Sequence, residues 1–155
     1  MAWVHSVYDV RWCHVSMERI KGKARPRFDW DSKHAYTDRG TKEAEQHIRS
    51  SWARQHGMMG RDWIGAVEVE IVYKREVAKT ATKKSVGKFH LKKPDNDNVG
   101  KLVLDALNGC AWHDDVQVNK YSVERALQGE PGSDAWVDVT VTYYNEREVI
   151  PRENH

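Results

Sequence analysis

The chain has 155 residues, 31% of them charged and 39% hydrophobic, enough for one domain with a real core. Its formal net charge is only +2, so bulk charge does not single out a partner. Two cysteines, Cys13 and Cys110, exclude a disulfide framework and fit a reducing cytoplasm; no apolar run reaches bilayer length and no signal-peptide pattern appears, so a soluble cytoplasmic protein without a membrane partner is expected.

Residues 1–20 alternate for much of their length, with Val4, Val7, Val10, Trp12, Val15, Met17 and Ile20 among polar neighbours. One strand or a pair is expected, best around Cys13–Ile20, with 1–12 as an N-terminal extension. Lys21–Phe28 follows as a basic loop, with Gly22 and Pro26 opposing helix. Arg25 and Arg27 share a side if extended, and Phe28, Trp30 and Tyr36 come next. Such guanidiniums and rings suit a phosphate backbone and bases, and they equally suit a solvated loop. Thr41–His56 reads as a helix, capped by Thr41 or Thr37, with a stripe of Ala44, Ile48, Trp52 and Gln55. Ile64–Tyr73 alternates as a half-buried strand. Lys74–Lys93 then carries eight Lys/Arg and one acid, Glu76, and reads as a mobile loop that clamps a polyanion.

The stretch Pro94-Asp95-Asn96-Asp97-Asn98 starts a second helix. Val99, Leu102, Val103, Ala106 and Leu107 fall at i, i+3, i+4, i+7 and i+8, one apolar stripe. Asp97 or Asn98 can cap it, and Gly109 suits the left-handed residue after its last turn. Lys101 and Asp105 lie off the stripe, Lys101 one turn beyond Asp97. Asp95, Asp97 and Lys101 can therefore face one pocket at the positive end of the helix dipole. Beyond it, Cys110-Ala111-Trp112 reads as a short extended piece. Asp114-Asp115 caps a turn into a strand over 116–126, Gln128–Ser133 is a Gly/Pro turn, Ala135–Tyr144 is a closing strand, and 145–155 is a frayed charged tail.

Charge is unevenly spread. Residues 1–93 carry 20 Lys+Arg against 11 Asp+Glu, a net of +9; residues 94–155 carry 5 against 12, a net of −7. One half suits an anion and the other concentrates acid, the division a nuclease needs, although single charge runs are commonly solvated faces. A lone Asp is most simply a cap; an Asp-x-Asp and an Asp-Asp flanking one short helix are better explained by a hard cation such as Mg²⁺. An EF-hand fails, because its fifth and twelfth positions from Asp95 would be Val99 and Ala106. A zinc site from Cys110 and His113 with Cys13 or His14 lacks a regular ligand set. His90 and His113 flank the acids and are more simply surface or hydrogen-bonded histidines.

Lys93-Pro94-Asp95-Asn96-Asp97-Asn98 with Lys101, then Leu104–Gly109, then Asp114–Val118, resembles the RusA family of Holliday-junction resolvases. Lys23–Phe28 with Ala35-Tyr36-Thr37 resembles that family's N-terminal signature, so the resemblance spans roughly residues 15–142. Asn96 stands where the family usually has Leu or Ile, and Gly100 sits inside the first helical turn. The resemblance implies an α/β (α+β) domain over 1–155, a mixed sheet packed with two main helices. It implies a Mg²⁺-dependent endodeoxyribonuclease, with Mn²⁺ able to substitute and no small-molecule cofactor. Such a homodimer would nick four-way DNA symmetrically in recombination and repair of phage or prophage DNA. Asp95, Asp97 and Asp115 match its catalytic, metal-holding aspartates, Asp114 the neighbouring acid, and Lys101 its site lysine. Lys23, Arg25, Arg27, Lys83, Lys84, Lys88, Lys92 and Lys93 would then face DNA. The alternatives are a nuclease for flaps, forks or replication intermediates, and a junction binder without catalysis.

Overall fold

The computed structural model describes residues 2–20, 22, 27–36 and 39–152. Its main sheet has four strands: β1 (Ala2–Met17), β4 (Val67–Lys74), β5 (Val118–Arg125) and β6 (Ala135–Arg152), in the order β1-β6-β4-β5. β6 pairs antiparallel with both neighbours, and β4 and β5 run parallel. A small hairpin of β2 (Arg27–Asp29) and β3 (His34–Tyr36) stands apart. Helix α1 (Arg39–His56) precedes β4, and α2 (Asn96–Leu107) lies in the crossover between the parallel strands β4 and β5. Parallel strands need such a crossover, and here it carries the acidic turn. The fold is the expected mixed sheet with two main helices.

The core forms where the alternation of strands meets the stripes of helices. Val67, Val69, Ile71 and Tyr73 of β4 lie beside Val137, Val139, Val141 and Tyr143 of β6, with Cys13 and Val15 of β1, all buried. From α2, Val99, Leu102, Val103, Ala106 and Leu107 are all buried, the stripe read from spacing alone. Each fully buried aliphatic side chain of this kind is worth about 1.5–3 kcal/mol. From α1, Ile48 and Trp52 are buried, but Gln55 is exposed and does not extend the stripe. Thr41 lies inside α1 and is buried rather than capping it, and Thr37 lies outside the described residues.

Several boundaries move for identifiable reasons. β1 is one long strand rather than a pair, with register shifts against β6 at His5/Ser6 and Val7/Asp9. β6 runs past Tyr144 to Arg152, because Ala2–His5 supplies a partner for the charged segment taken as a frayed tail. β4 starts at Val67, after a 3-10 turn over Met59–Asp62, and Ile64 is exposed. Likewise β5 starts at Val118, and Val116 is exposed in a 3-10 turn. Cys110 and Ala111 are turn and Trp112 makes an isolated bridge to Asn108 rather than a strand: Cys110 N and Ala111 N both donate to Leu107 O, and all three residues are fully buried.

The segment after β4 is tied down rather than free. Val77 N donates to Ser133 O and Gly132 N to Val77 O, while Gly87 N donates to Gln128 O and Gln128 N to Lys88 O. Lys74 does not face outward with the other cations of this segment. It is buried, and its Nζ donates to Ser133 Oγ at 2.9 Å and Asp134 O at 2.7 Å. Burial holds its ammonium below the usual lysine range.

Candidate active site

Asp95 itself, rather than Asp97 or Asn98, caps α2. It has extended backbone, and its Oδ1 accepts from Asn98 N at 2.9 Å. The cap uses one carboxylate oxygen and fixes the direction of the other. Asp97 lies exposed in the first turn, with Lys101 one turn on and Asp105 a further turn along the same face.

The turn before α2 is stitched to the sheet. Lys93-Pro94 is cis. The hydroxyl of Tyr73, whose side chain is buried at the end of β4, lies 2.8 Å from Asn96 Oδ1 and 3.1 Å from Pro94 O. Asn96 Nδ2 donates to Val123 O of β5 at 3.2 Å. Arg125 donates through Nε to the Tyr73 hydroxyl at 2.8 Å, through Nη2 to Pro94 O at 2.7 Å, and through Nη1 to His90 O. Asn96 thus makes polar anchors that Leu or Ile could not make. Gly100 is buried where a Cβ would come within 3.1 Å of Val123 Cγ2 and 3.3 Å of Tyr121, so its small size lets α2 lie close on β5. Gly22, from the basic loop, passes against the same helix start: a Cβ there would meet Asn98 Cβ at 2.4 Å. Lys23 and Arg25 lie outside the described residues, and Arg27 is described only as a residue of β2. Lys83, Lys84, Lys88, Lys92, Lys93 and Lys101 are all exposed.

The second acidic pair follows the other end of α2. Gly109, at φ 73°, takes the left-handed conformation expected of it. Arg49 of α1 donates to Asn108 O at 2.9 Å and Gly109 O at 3.3 Å, placing a cation at the negative end of the helix. Tyr143 donates to Ala111 O at 2.6 Å, pinning the buried turn. Asp114 caps the short 3-10 turn, accepting from Val116 N at 3.0 Å while Gln117 Oε1 accepts from Asp114 N at 2.8 Å. Asp115 Oδ1 accepts from Trp112 Nε1 at 2.9 Å. Burial pushes the Asp115 carboxyl up, and the Asp105 and Asp114 charges add to the push while the Trp112 bond opposes it.

Sequence reasoning did not assign Asp105 a role. Its signal was present in the i, i+4, i+8 spacing of Asp97, Lys101 and Asp105 off the apolar stripe. Hard carboxylate oxygens crowded by like charge are a donor set that suits Mg²⁺. The geometry is open, however: among the described residues, no three His, Cys, Asp or Glu side chains are gathered closely enough to hold an ion. Asp105 and Asp114 are near enough to Asp115 to act on its charge, while Asp95 and Asp97 stand at the helix start. The sulfur alternative is not assembled either. Cys110 is buried with its Sγ 3.4 Å from Met58 Sδ, and His113 Nδ1 lies 3.1 Å from Arg61 O.

The mixed sheet thus carries a β-α-β crossover with carboxylates at both ends of one helix, beside exposed lysines. A family model for the endodeoxyribonuclease RusA matches residues 19–141, and the chain belongs to that family. Membership supports a Holliday-junction-resolving endonuclease in general, acting on branched DNA. No curated protein matches the chain. Among the described residues, no helix is long and apolar enough to cross a membrane.

Proposed function

We propose that the chain is a Mg²⁺-dependent endonuclease that resolves four-way junctions by paired symmetric nicks, with Mn²⁺ able to substitute. The observation that carries this reading is the acidic turn fixed by Tyr73, Asn96 and Arg125 at the head of α2, in a chain of the RusA family. Asp95 and Asp97 at the head of α2 would offer carboxylate oxygens to an ion there, and Asp115, with Asp114 beside it and Asp105 added as a candidate, would do so from the far end of the helix, since among the described residues no three such side chains are gathered closely enough to share one ion. When bound, the ion supplies Lewis acidity at the scissile phosphate. Lys101, on the same helix face as Asp97, places an ammonium to neutralise charge developing on the phosphate oxygens. The Trp112 bond orients one oxygen of Asp115 and leaves the other to act. The exposed lysines over 83–93 bind the backbone, and Lys23, Arg25 and Arg27 are assigned to the same DNA from their sequence alone. A homodimer in the host cytoplasm, acting on phage or prophage DNA, matches two scissile phosphates with two sites related by one axis.

Substituting Asp95→Asn keeps a cap acceptor for Asn98 N while removing a charge. Junction binding should stay within about twofold and cleavage should fall by at least about 10³-fold, read by gel shift and by strand-resolved nicking. Cleavage at the wild-type rate would remove Asp95 from the site.

A further inference from the structure

A cavity of about 610 Å³ opens beside the acidic turn, lined among others by Arg19, Arg75, Phe89, His90, Leu91 and Lys92. That size lies within the range of small-ligand pockets. Its lip is apolar in an otherwise charged segment: Phe89 is 82% and Leu91 90% exposed. Its wall is positive. Arg75 Nη1 lies 3.3 Å from His90 Nε2, and Lys92 N donates to His90 Nδ1 at 3.2 Å. A neutral imidazole has one lone pair, so it cannot accept from both donors at once. Burial and then the charges of Arg75, Arg125 and Lys92 hold His90 below its usual range, so the ring adds no charge of its own at neutral pH. Among the described lining residues the one acid, Glu76, is engaged: its Oε1 lies 3.4 Å from Arg75 Nε, and its Oε2 accepts from Ile20 N at 3.1 Å. Arg125 bonds both His90 O and Pro94 O, so one side chain links the cavity wall to the carboxylate turn.

We propose that this cavity binds one unpaired nucleotide of the DNA, its base stacked on Phe89 and its phosphate held by Arg19, Arg75 and Lys92. Lysines along a loop hold any backbone, but an exposed ring at the mouth of a cationic cavity offers a stacking platform that a paired, stacked base cannot use. Guanidiniums supply the planar donors a phosphate accepts. The proposal rests on the reading that branched DNA is the substrate and goes beyond it by assigning an unpaired base to a named pocket.

The test is equilibrium binding in EDTA, so that no cleavage enters. The probes are a four-way junction with an unpaired 2-aminopurine at the crossing, the same junction fully paired, and a duplex. The wild-type chain should change the fluorescence of the unpaired probe and prefer it to the paired junction. Phe89→Ala should weaken binding of the unpaired probe about tenfold and leave duplex binding unchanged. Phe89→Trp should retain the preference, and Arg19→Ala should weaken the same probe. Equal preference in wild type and Phe89→Ala would overturn the pocket. Intact base preference without metal-dependent nicking would instead remove the nuclease reading and leave the pocket standing.

Discussion

The guanidinium of Arg125 donates to the Tyr73 hydroxyl, to Pro94 O and to His90 O, so removing it leaves the carboxylate turn held to the sheet only through the Tyr73 and Asn96 contacts. Hydrogen bonds from a charged donor are worth about 1.5–3 kcal/mol. Arg125→Ala should therefore cost roughly 2 kcal/mol of stability in denaturant unfolding and lower the nicking rate at least about tenfold at saturating junction. Arg125→Lys should recover part of the rate; equal rates for Ala and wild type would mean that the clamp does not position the site. Asp115 gives a prediction of opposite sign. Its carboxyl is pushed up by burial, with the Asp105 and Asp114 charges adding to the push and the Trp112 bond opposing it, so the folded chain without metal holds the Asp115 proton more tightly than the unfolded chain does. That favourable contribution is present at low pH and is lost as pH rises through the folded value. At pH 7, Asp115→Asn should raise the melting temperature of the EDTA-treated protein, while added Mg²⁺ should stabilise wild type more than the variant. A lowered melting temperature in EDTA would refute the crowding. The aspartates were legible because Asp-x-Asp and Asp-Asp are local patterns. The clamp was not, since Tyr73, Asn96 and Arg125 lie far apart in sequence and meet only through the parallel pairing of β4 and β5.

At the level of elements, α2 was readable almost to the residue, because its stripe and its closing Gly109 are properties of neighbouring positions. Its true cap was missed by two residues: Asp95, Asp97 and Asn98 are all good caps, and only backbone direction chooses among them. The turn that carries Asp115 depends on contacts no local pattern encodes. Gly60 illustrates this, since a Cβ there would meet Ala111 O at 2.4 Å. Gly60→Ala should cost about 1–3 kcal/mol in thermal or denaturant unfolding, because the backbone of the turn must move. An unchanged midpoint would show that the turn is looser than its packing indicates. The short extended reading of Cys110–Trp112 failed for the same reason: a turn closed on Leu107 O, with Tyr143 bonded to Ala111 O and one isolated bridge at Trp112, stands in place of a strand.

Over the whole molecule, the expected mixed sheet is present, but its span was underestimated at both chain ends. Neither Ala2–His5 nor residues 145–152 looks like a strand partner alone, and each is one because the other lies beside it. The exposed lysines over 83–93 lead directly into the acidic turn before α2, the arrangement a backbone-gripping surface beside the carboxylates would use. Junction binding should therefore fall steeply with salt; six to ten phosphate contacts correspond to a loss of roughly 10³–10⁵ in affinity between 50 and 200 mM. A flat salt response would contradict a backbone-gripping surface. The most direct measurement follows cleavage of an end-labelled four-way junction, strand by strand, with Mg²⁺ and with EDTA. The account predicts matched nicks on two opposing strands that require the ion. Nicking undiminished in EDTA, or none at all from a protein that binds the junction, would contradict it.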